Sequence, residues 1–317
     1  MVPFPSPTWR ASHVGHSGGV TEVAQQSCAV PRAEVQRALA AFCAQWLSDD
    51  TPLIAEAIRY SLLGEGKRLR AILLIEAYRA CGGTGDACEL AAAVEVVHAY
   101  SLVHDDLPCM DDDDVRRGRP TLHKVYGVPV ATAAGLAMVP FAARCAWQAA
   151  KAMSLPDVEA AKIVRELMVA AGGGGMIGGQ LLDLEAEGVH LTLDALEQVH
   201  RMKTGALITA SVSLGARAAR ASEARRLALR RYGAAIGLAF QIADDVLDIT
   251  ATTDQLGKTA GRDLDLHKST YPALLGVEGA IARAVALVEE GCKSLADEQL
   301  LSPTLEQLAR YFVERRS

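Results

Sequence analysis

From Pro31 onward, apolar residues recur at intervals of three and four along almost the whole chain. Alanine and leucine dominate these stretches, β-branched runs are short, and no alternating segment of strand length stands out. PRAEVQRALAAFCAQWL opens with Pro31, a residue suited to the first turn of a helix, and then carries an amphipathic stripe. LAAAVEVVHAYSLVH is apolar on nearly every face, the pattern of a buried central helix. The same spacing predicts helices over 130–152, 157–171, 194–219, 222–250, 271–296 and 303–314. Breaks are expected at Gly82–Gly83, Pro108, Pro129, Pro156 and Gly188, and around Gly257–Gly261. No repeat of fixed period and no linker interrupts the series. The pattern therefore predicts one all-α domain of about ten or more helices over residues 31–317. Residues 1–30, rich in Pro, Ser and Gly and without a helical period, are expected to form a disordered tail.

Composition changes this picture only a little. The 317 residues are 50% apolar, enough for a large core, and the net charge of −6 argues against a general nucleic-acid surface. The seven cysteines are odd in number and contain no CxxC pair, which suits reduced thiols and a cytoplasmic location. No uninterrupted apolar run approaches the roughly 18 to 20 residues of a membrane span, so stable membrane insertion is not expected.

The charge pattern matters more. VHDDLPCMDDDDVRRGRPT puts six aspartates between positions 105 and 114, at the end of the most apolar helix, with arginines just behind. Carboxylates there meet the negative end of the helix dipole and gain nothing from it. Clustered at the edge of a core, they need cations, and oxygen-only ligands suit Mg²⁺. FQIADDVLDI repeats the arrangement with Asp244, Asp245 and Asp248, the first and last sharing a helix face. Basic residues accompany both clusters: Arg116 and Arg117 after the first, Lys258 and Lys268 after the second, with Lys67, Arg68, Arg70 and Lys203 elsewhere. Cations beside metal-type carboxylates suggest a ligand carrying phosphates.

GEGKRLR (64–70), HAYSLVHDDLPCMDDDDVRRGRPT (98–121), GMIGGQLLDLEAEG (175–188), HRMKTGAL (200–207), GLAFQIADDVLDI (237–249) and GKTAGRDLDLHKSTYP (257–272) occur in this order. Together they resemble the trans-isoprenyl diphosphate synthases, and within them the bacterial farnesyl diphosphate synthases. The resemblance implies a helical bundle around a deep central cavity, and a homodimer. It implies about three Mg²⁺ ions per site, held by Asp105, Asp111 and Asp244 with Asp106, Asp245 and Asp248 in support. Arg116, Lys203 and Lys258 would contact the allylic diphosphate, with Lys268 near them. Lys67, Arg70, His98 and Arg117 would hold isopentenyl diphosphate, and Thr204 and Gln241 would face the allylic cation. Gln180 and Asp183 fall at family positions near the allylic diphosphate. The glycines before them read either as a flexible loop or as a place of close backbone approach.

Tyr100 lies five residues before Asp105, roughly 7.5 Å further along the helix. By resemblance it floors the hydrocarbon cavity, beside the small Ser101, and fixes a fifteen-carbon product; twenty carbons is the alternative. Three positions depart from the family pattern: Glu65 for a commoner glycine, Ala71 for proline, and Leu136 for aspartate on a helix expected to be buried, where Pro129 and Pro140 are also unusual. Two different readings compete. EVVH (95–98) and EQVH (197–200) have the Glu-x-x-His spacing of di-iron helix bundles. A class I terpene cyclase also uses an Asp-rich helix end, but it would lack the second ADDVLD cluster and GEGKRLR. A non-catalytic partner subunit would have no need of two complete clusters.

Overall fold

The computed structural model describes residues 17–48, 51–250 and 269–314, with side chains from residue 29. Its elements in chain order are α1 (Ser17–Trp46), α2 (Pro52–Leu62), α3 (Leu69–Ala80) and α4 (Cys88–Asp105), then a short hairpin of β1 (Val115–Arg116) and β2 (Arg119–Pro120). There follow α5 (Leu122–Tyr126), α6 (Val128–Ala152), α7 (Asp157–Ala171), α8 (Met176–Glu185) and α9 (Leu193–His200). A π-helical turn (Arg201–Gly205) joins α9 to α10 (Ala206–Ala218), and α11 (Glu223–Thr250), α12 (Tyr271–Asp297) and α13 (Pro303–Glu314) complete the bundle.

The all-α expectation holds, and α7 and α13 match the predicted bounds to the residue. Most other bounds agree within two residues, the expected helix 194–219 is divided by the π-helical turn, and one boundary differs widely. Helix α1 starts at Ser17, so residues 17–30, expected as tail, are helical, and Pro31 sits inside the helix. What anchors α1 is its second half, where Val35, Leu39, Phe42 and Cys43 are buried, with Leu47 just beyond its end. Residues 1–16 lie outside the described part of the chain.

Two apolar clusters make the core. One joins α1, α2, α4, α6 and α7; the other joins α10 to α13. Helix α3 belongs to both, giving Leu74 and Ile75 to the first and Ile72 and Leu73 to the second. This explains why α3 and α4 lack a polar stripe: each is covered on all sides. Helix α4 delivers its last residue, Asp105, to the seam between the clusters, and Asp106 caps it.

By length and composition alone, α6, α12 and the stretch Asp157–Glu185 are apolar enough to cross a membrane. In the bundle each has a packed side: α6 lies along α4, α12 along α11. Six cysteines among the described side chains are free thiols.

Candidate active site

The seam opens into a cavity of about 540 Å³, within the usual range for a small-molecule site. Asp105, Asp111, Asp113 and Arg116 line it from the end of α4 and the following loop; Asp244, Asp245, Asp248 and Gln241 line it from α11. Gln180 and Asp183 come from α8, and Lys203 and Thr204 from the π turn. The two acidic clusters therefore share one cavity, although about 130 residues separate them in sequence.

Local geometry explains how each group arrives there. Asp111 is brought back beside Asp105 by a hydrogen bond from its backbone N–H to the Asp105 carbonyl (2.8 Å). The π turn sends two consecutive side chains, Lys203 and Thr204, into the same cavity, as such insertions at functional sites often do. Gly179 lets α8 approach that turn, since a β-carbon there would overlap the Lys203 backbone. Close approach, rather than flexibility alone, is thus the reason for glycine at this position.

The electrostatics are those of a site built for cations and anions together. Burial raises the Asp105 pKa to about 6, with Asp111 and Asp106 adding to the effect and Lys203 and Arg116 opposing it. Burial works against a charged Lys203. Asp183, whose carboxylate lies 2.6 Å from Nζ, together with Asp105 and Asp111, outweighs burial and holds the ammonium above its ordinary value. Gln180 is buried, and neither end of its amide has a protein partner. Thr204 donates to Gln241 Oε1 (3.0 Å), and Gln241 Nε2 donates to Asp245 (3.3 Å), so the hydroxyl oxygen keeps its lone pairs. The donor set of Asp105, Asp111, Asp244 and Asp248 is all oxygen and includes a carboxyl whose pKa burial raises and whose charge a bound cation would offset. Such a set fits Mg²⁺.

Several expected site residues are placed differently from the rest. Asp106 does not line the cavity; it is buried and tied to Arg116 Nε. Adjacent helical residues point about 100° apart, so Asp105 and Asp106 cannot share a face. Asp245 does line the cavity, but its carboxylate is engaged by the Tyr271 N–H (3.0 Å) and Gln241, with His200 Nε2 3.6 Å away. Leu136 is 61% exposed, so its helix position is not a buried one. Lys258 and Lys268 lie outside the described residues.

The second cationic group forms a rim beside this cavity. Arg70 Nη1 and Arg117 Nη2 both lie 3.3 Å from His98 Nε2. Burial and these two guanidiniums hold His98 far below its usual pKa, so it is neutral; because guanidiniums only donate, Nε2 accepts and the ring proton sits on Nδ1. Lys67 is exposed, with Nζ 5.8 Å from the centre of the Tyr311 ring. Tyr100 and Ser101 line the main cavity; the Tyr100 ring meets His104 edge-on at 4.8 Å, and Ser101 donates to the His98 carbonyl.

Sequence reasoning missed Asp113, His104 and Phe240 as lining residues. Asp113 was one aspartate among six, and the other two carried no charge pattern. It also missed a surface group, Asp112, Asp114 and His123, whose ligand atoms lie within 4.8 Å of one another. The di-iron spacing has a different explanation: Glu95 pairs with Arg68, and Glu197 with Arg201 and Arg283.

A polyprenyl synthetase profile matches residues 51–300. The chain is 45% identical over 290 residues to the farnesyl diphosphate synthase of Escherichia coli (strain K12), covering 89% of this chain and 95% of that one. It is 43% identical over 270 residues to the large subunit 1 of a heterodimeric geranylgeranyl pyrophosphate synthase of Arabidopsis thaliana, covering 83% of this chain and 72% of that one. Among solved structures, a geranyltransferase from Legionella pneumophila superposes with a TM-score of 0.80 at 30% identity, over 93% of this chain and 98% of that one. An FPP/GFPP synthase from Zymomonas mobilis gives 0.76 at 31% identity, over 94% and 100%. With two acidic clusters facing one cavity and a profile spanning most of its length, the chain belongs to the polyprenyl synthetase family.

Proposed function

We propose that the protein condenses dimethylallyl and geranyl diphosphates with isopentenyl diphosphate and releases farnesyl diphosphate as its main product. The observation that carries this reading is the meeting of Asp105 and Asp111 with Asp244 and Asp248 around one cavity that also holds Lys203.

Asp105, Asp111, Asp244 and Asp248 would hold Mg²⁺, and the chemistry it would supply when bound is neutralisation of charge on the diphosphate leaving group. Lys203 and Arg116 donate to the oxygens of that diphosphate as its bond to carbon breaks, and such preorganised donors supply a large share of catalysis. The Thr204 and Gln241 oxygens face the allylic carbons, where positive charge develops. Lys67, Arg70, His98 and Arg117 hold isopentenyl diphosphate so that its double bond attacks the cation. A proton leaves to the departing diphosphate, and a trans product five carbons longer remains. Leu181, Leu184, Leu191 and Phe240 line the cavity and keep water from quenching the cation. Tyr100 stops growth at fifteen carbons.

The active protein is a homodimer in the cytoplasm, without stable membrane insertion. Exposed apolar side chains on consecutive helices, Leu136 on α6 and Val169 on α7, support an additional interface. Free thiols support the compartment. The test supplies isopentenyl and dimethylallyl diphosphates with Mg²⁺ and identifies products by mass spectrometry. A fifteen-carbon diphosphate is expected. A mainly twenty-carbon product would refute the chain-length assignment, and no elongation at all would refute the reaction.

A further inference from the structure

The loop that carries Lys67 and leads into Arg70, in the first turn of α3, has a feature that its surface charges do not explain. Arg68, between them, is buried, and its backbone is left-handed (φ 52°, ψ 33°), a conformation uncommon for a residue other than glycine. Its Nη2 lies 2.7 Å from the Leu62 carbonyl, 2.8 Å from the Gly64 carbonyl and 2.8 Å from Gln36 Oε1. Its Nη1 lies 3.5 Å from Glu95 Oε2, and both partners of that ion pair are 2% exposed in their side chains. The second Glu95 oxygen accepts from the Ala71 N–H (3.1 Å), in the first turn of α3. Gln36 spans the outer side, donating from Nε2 to the Leu63 carbonyl (3.1 Å).

Glu95 and His98 are one turn apart on α4 and share a face. Two rungs therefore join the 63–68 loop and the first turn of α3 to α4: a buried one, Arg68–Glu95, and an outer one, Arg70–His98. Arg117 ties the hairpin to the same loop, donating to the Glu65 carbonyl (3.3 Å). Gly66 passes between the guanidiniums; a β-carbon there would lie 2.9 Å from Arg117 Nη1 and 3.6 Å from Arg68 Cζ. The left-handed residue turns Arg68 inward while Lys67 remains exposed.

We infer that Arg68, Glu95 and Gln36 are positioning residues that fix the second-substrate site, an inference that rests on the proposed assignment of Lys67, Arg70, His98 and Arg117 to isopentenyl diphosphate. The three never touch substrate. They hold the loop and the first turn of α3, from which two of the four contacting side chains, Lys67 and Arg70, project, and against which a third, Arg117, leans. The metal-bound half of the site draws its ligands from the end of α4 and from α11, so a loosened loop leaves it in place.

The experiment measures both Michaelis constants, kcat and thermal melting for Gln36→Leu and Glu95→Gln, beside Lys67→Ala and Arg117→Ala. Gln36→Leu removes two bonds at the loop's edge and leaves the buried ion pair intact, so it reports even if Glu95→Gln fails to fold. The expected result for Gln36→Leu is a three- to tenfold rise in KM for isopentenyl diphosphate, with KM for the allylic substrate and kcat within twofold, the signature of lost uniform binding. Folded Glu95→Gln should give a larger rise of the same kind. Unchanged isopentenyl KM in folded variants, or equal rises for both substrates, would overturn the inference while leaving the site assignment standing. If Lys67→Ala and Arg117→Ala leave that KM unchanged, the site assignment falls and the inference falls with it.

Discussion

Replacing Asp105 by asparagine should make the metal-free protein more stable at neutral pH while abolishing its activity. The Asp105 pKa rises from 3.8 to about 6, mainly through burial. At 1.36 kcal/mol per unit, a shift of about two units corresponds to roughly 3 kcal/mol, and partial solvent contact reduces this to about 2. Because the folded-state value lies above the unfolded one, the carboxyl contributes stability only while protonated. That contribution is complete below about pH 4 and fades as pH rises through 6. Asparagine keeps the shape and never acquires the charge. Urea denaturation in the presence of a chelator should therefore give matching stabilities near pH 4 and a gap of about 2 kcal/mol at pH 7.5, in favour of the variant. Adding Mg²⁺ at pH 7.5 should stabilise the natural protein more than the variant, and turnover of the variant should fall by two orders of magnitude or more, to about 1% or less. A gap that is the same at both pH values, or a variant less stable than the natural protein without metal, would refute the account of Asp105 as a carboxylate held at a cost for its ligand.

Three further outcomes follow from the geometry. Arg116→Ala should mainly raise KM for the allylic substrate and Arg117→Ala that for isopentenyl diphosphate, because Arg116 turns to Asp106 and Asp113 while Arg117 turns to His98 and Glu65; equal effects on both substrates would sink the assignment. Tyr100→Ala should open the floor beside His104 and shift products to twenty carbons or more by mass spectrometry, whereas an unchanged product spectrum would place the floor elsewhere. Leu136→Asp, at a position 61% exposed, should change monomer stability by no more than about 0.5 kcal/mol. A loss of several kcal/mol, measured by denaturation at high protein concentration, would mean that another surface covers this side chain.

Much of the architecture was legible because long helices repeat their signal. Helix α7 begins after Pro156 and α13 at Pro303, and they carry about four and just over three turns of consistent spacing. Shorter features carry no period. The two-residue strands at 115–116 and 119–120 are too brief to alternate, and the kink at Gly276, with φ 72°, sits inside an unbroken apolar pattern. Pro31 misled because proline suits both a helix start and a tolerated interior bend, and local sequence does not choose between them. At the site, the residue types were readable, but their division of labour was not. Asp105 faces the cavity while Asp106 holds Arg116, a distinction that depends on where α4 stops. Glu95 and Glu197 looked like metal ligands only until the arginines opposite them, supplied by other parts of the chain, were in view.

The π turn at 201–205 has a consequence for how this protein can vary. Each residue of an α-helix advances about 100° around its axis, so one extra residue in the turn acts as a phase offset between α9 and α10. Helix α9 keeps Leu196, Val199 and His200 inward, while α10 independently meets α3 at Gly215, which lies against the backbone of Leu74 and Tyr78. Loss of a single residue here would wind the turn back to α and swing α10 by about that angle relative to α9. Either Lys203 and Thr204 would leave the cavity, or the contact between α10 and α3 would be forced out of alignment. The segment can accept changes of side chain, but its length is locked, because one short turn keeps time for both the chemistry and the core.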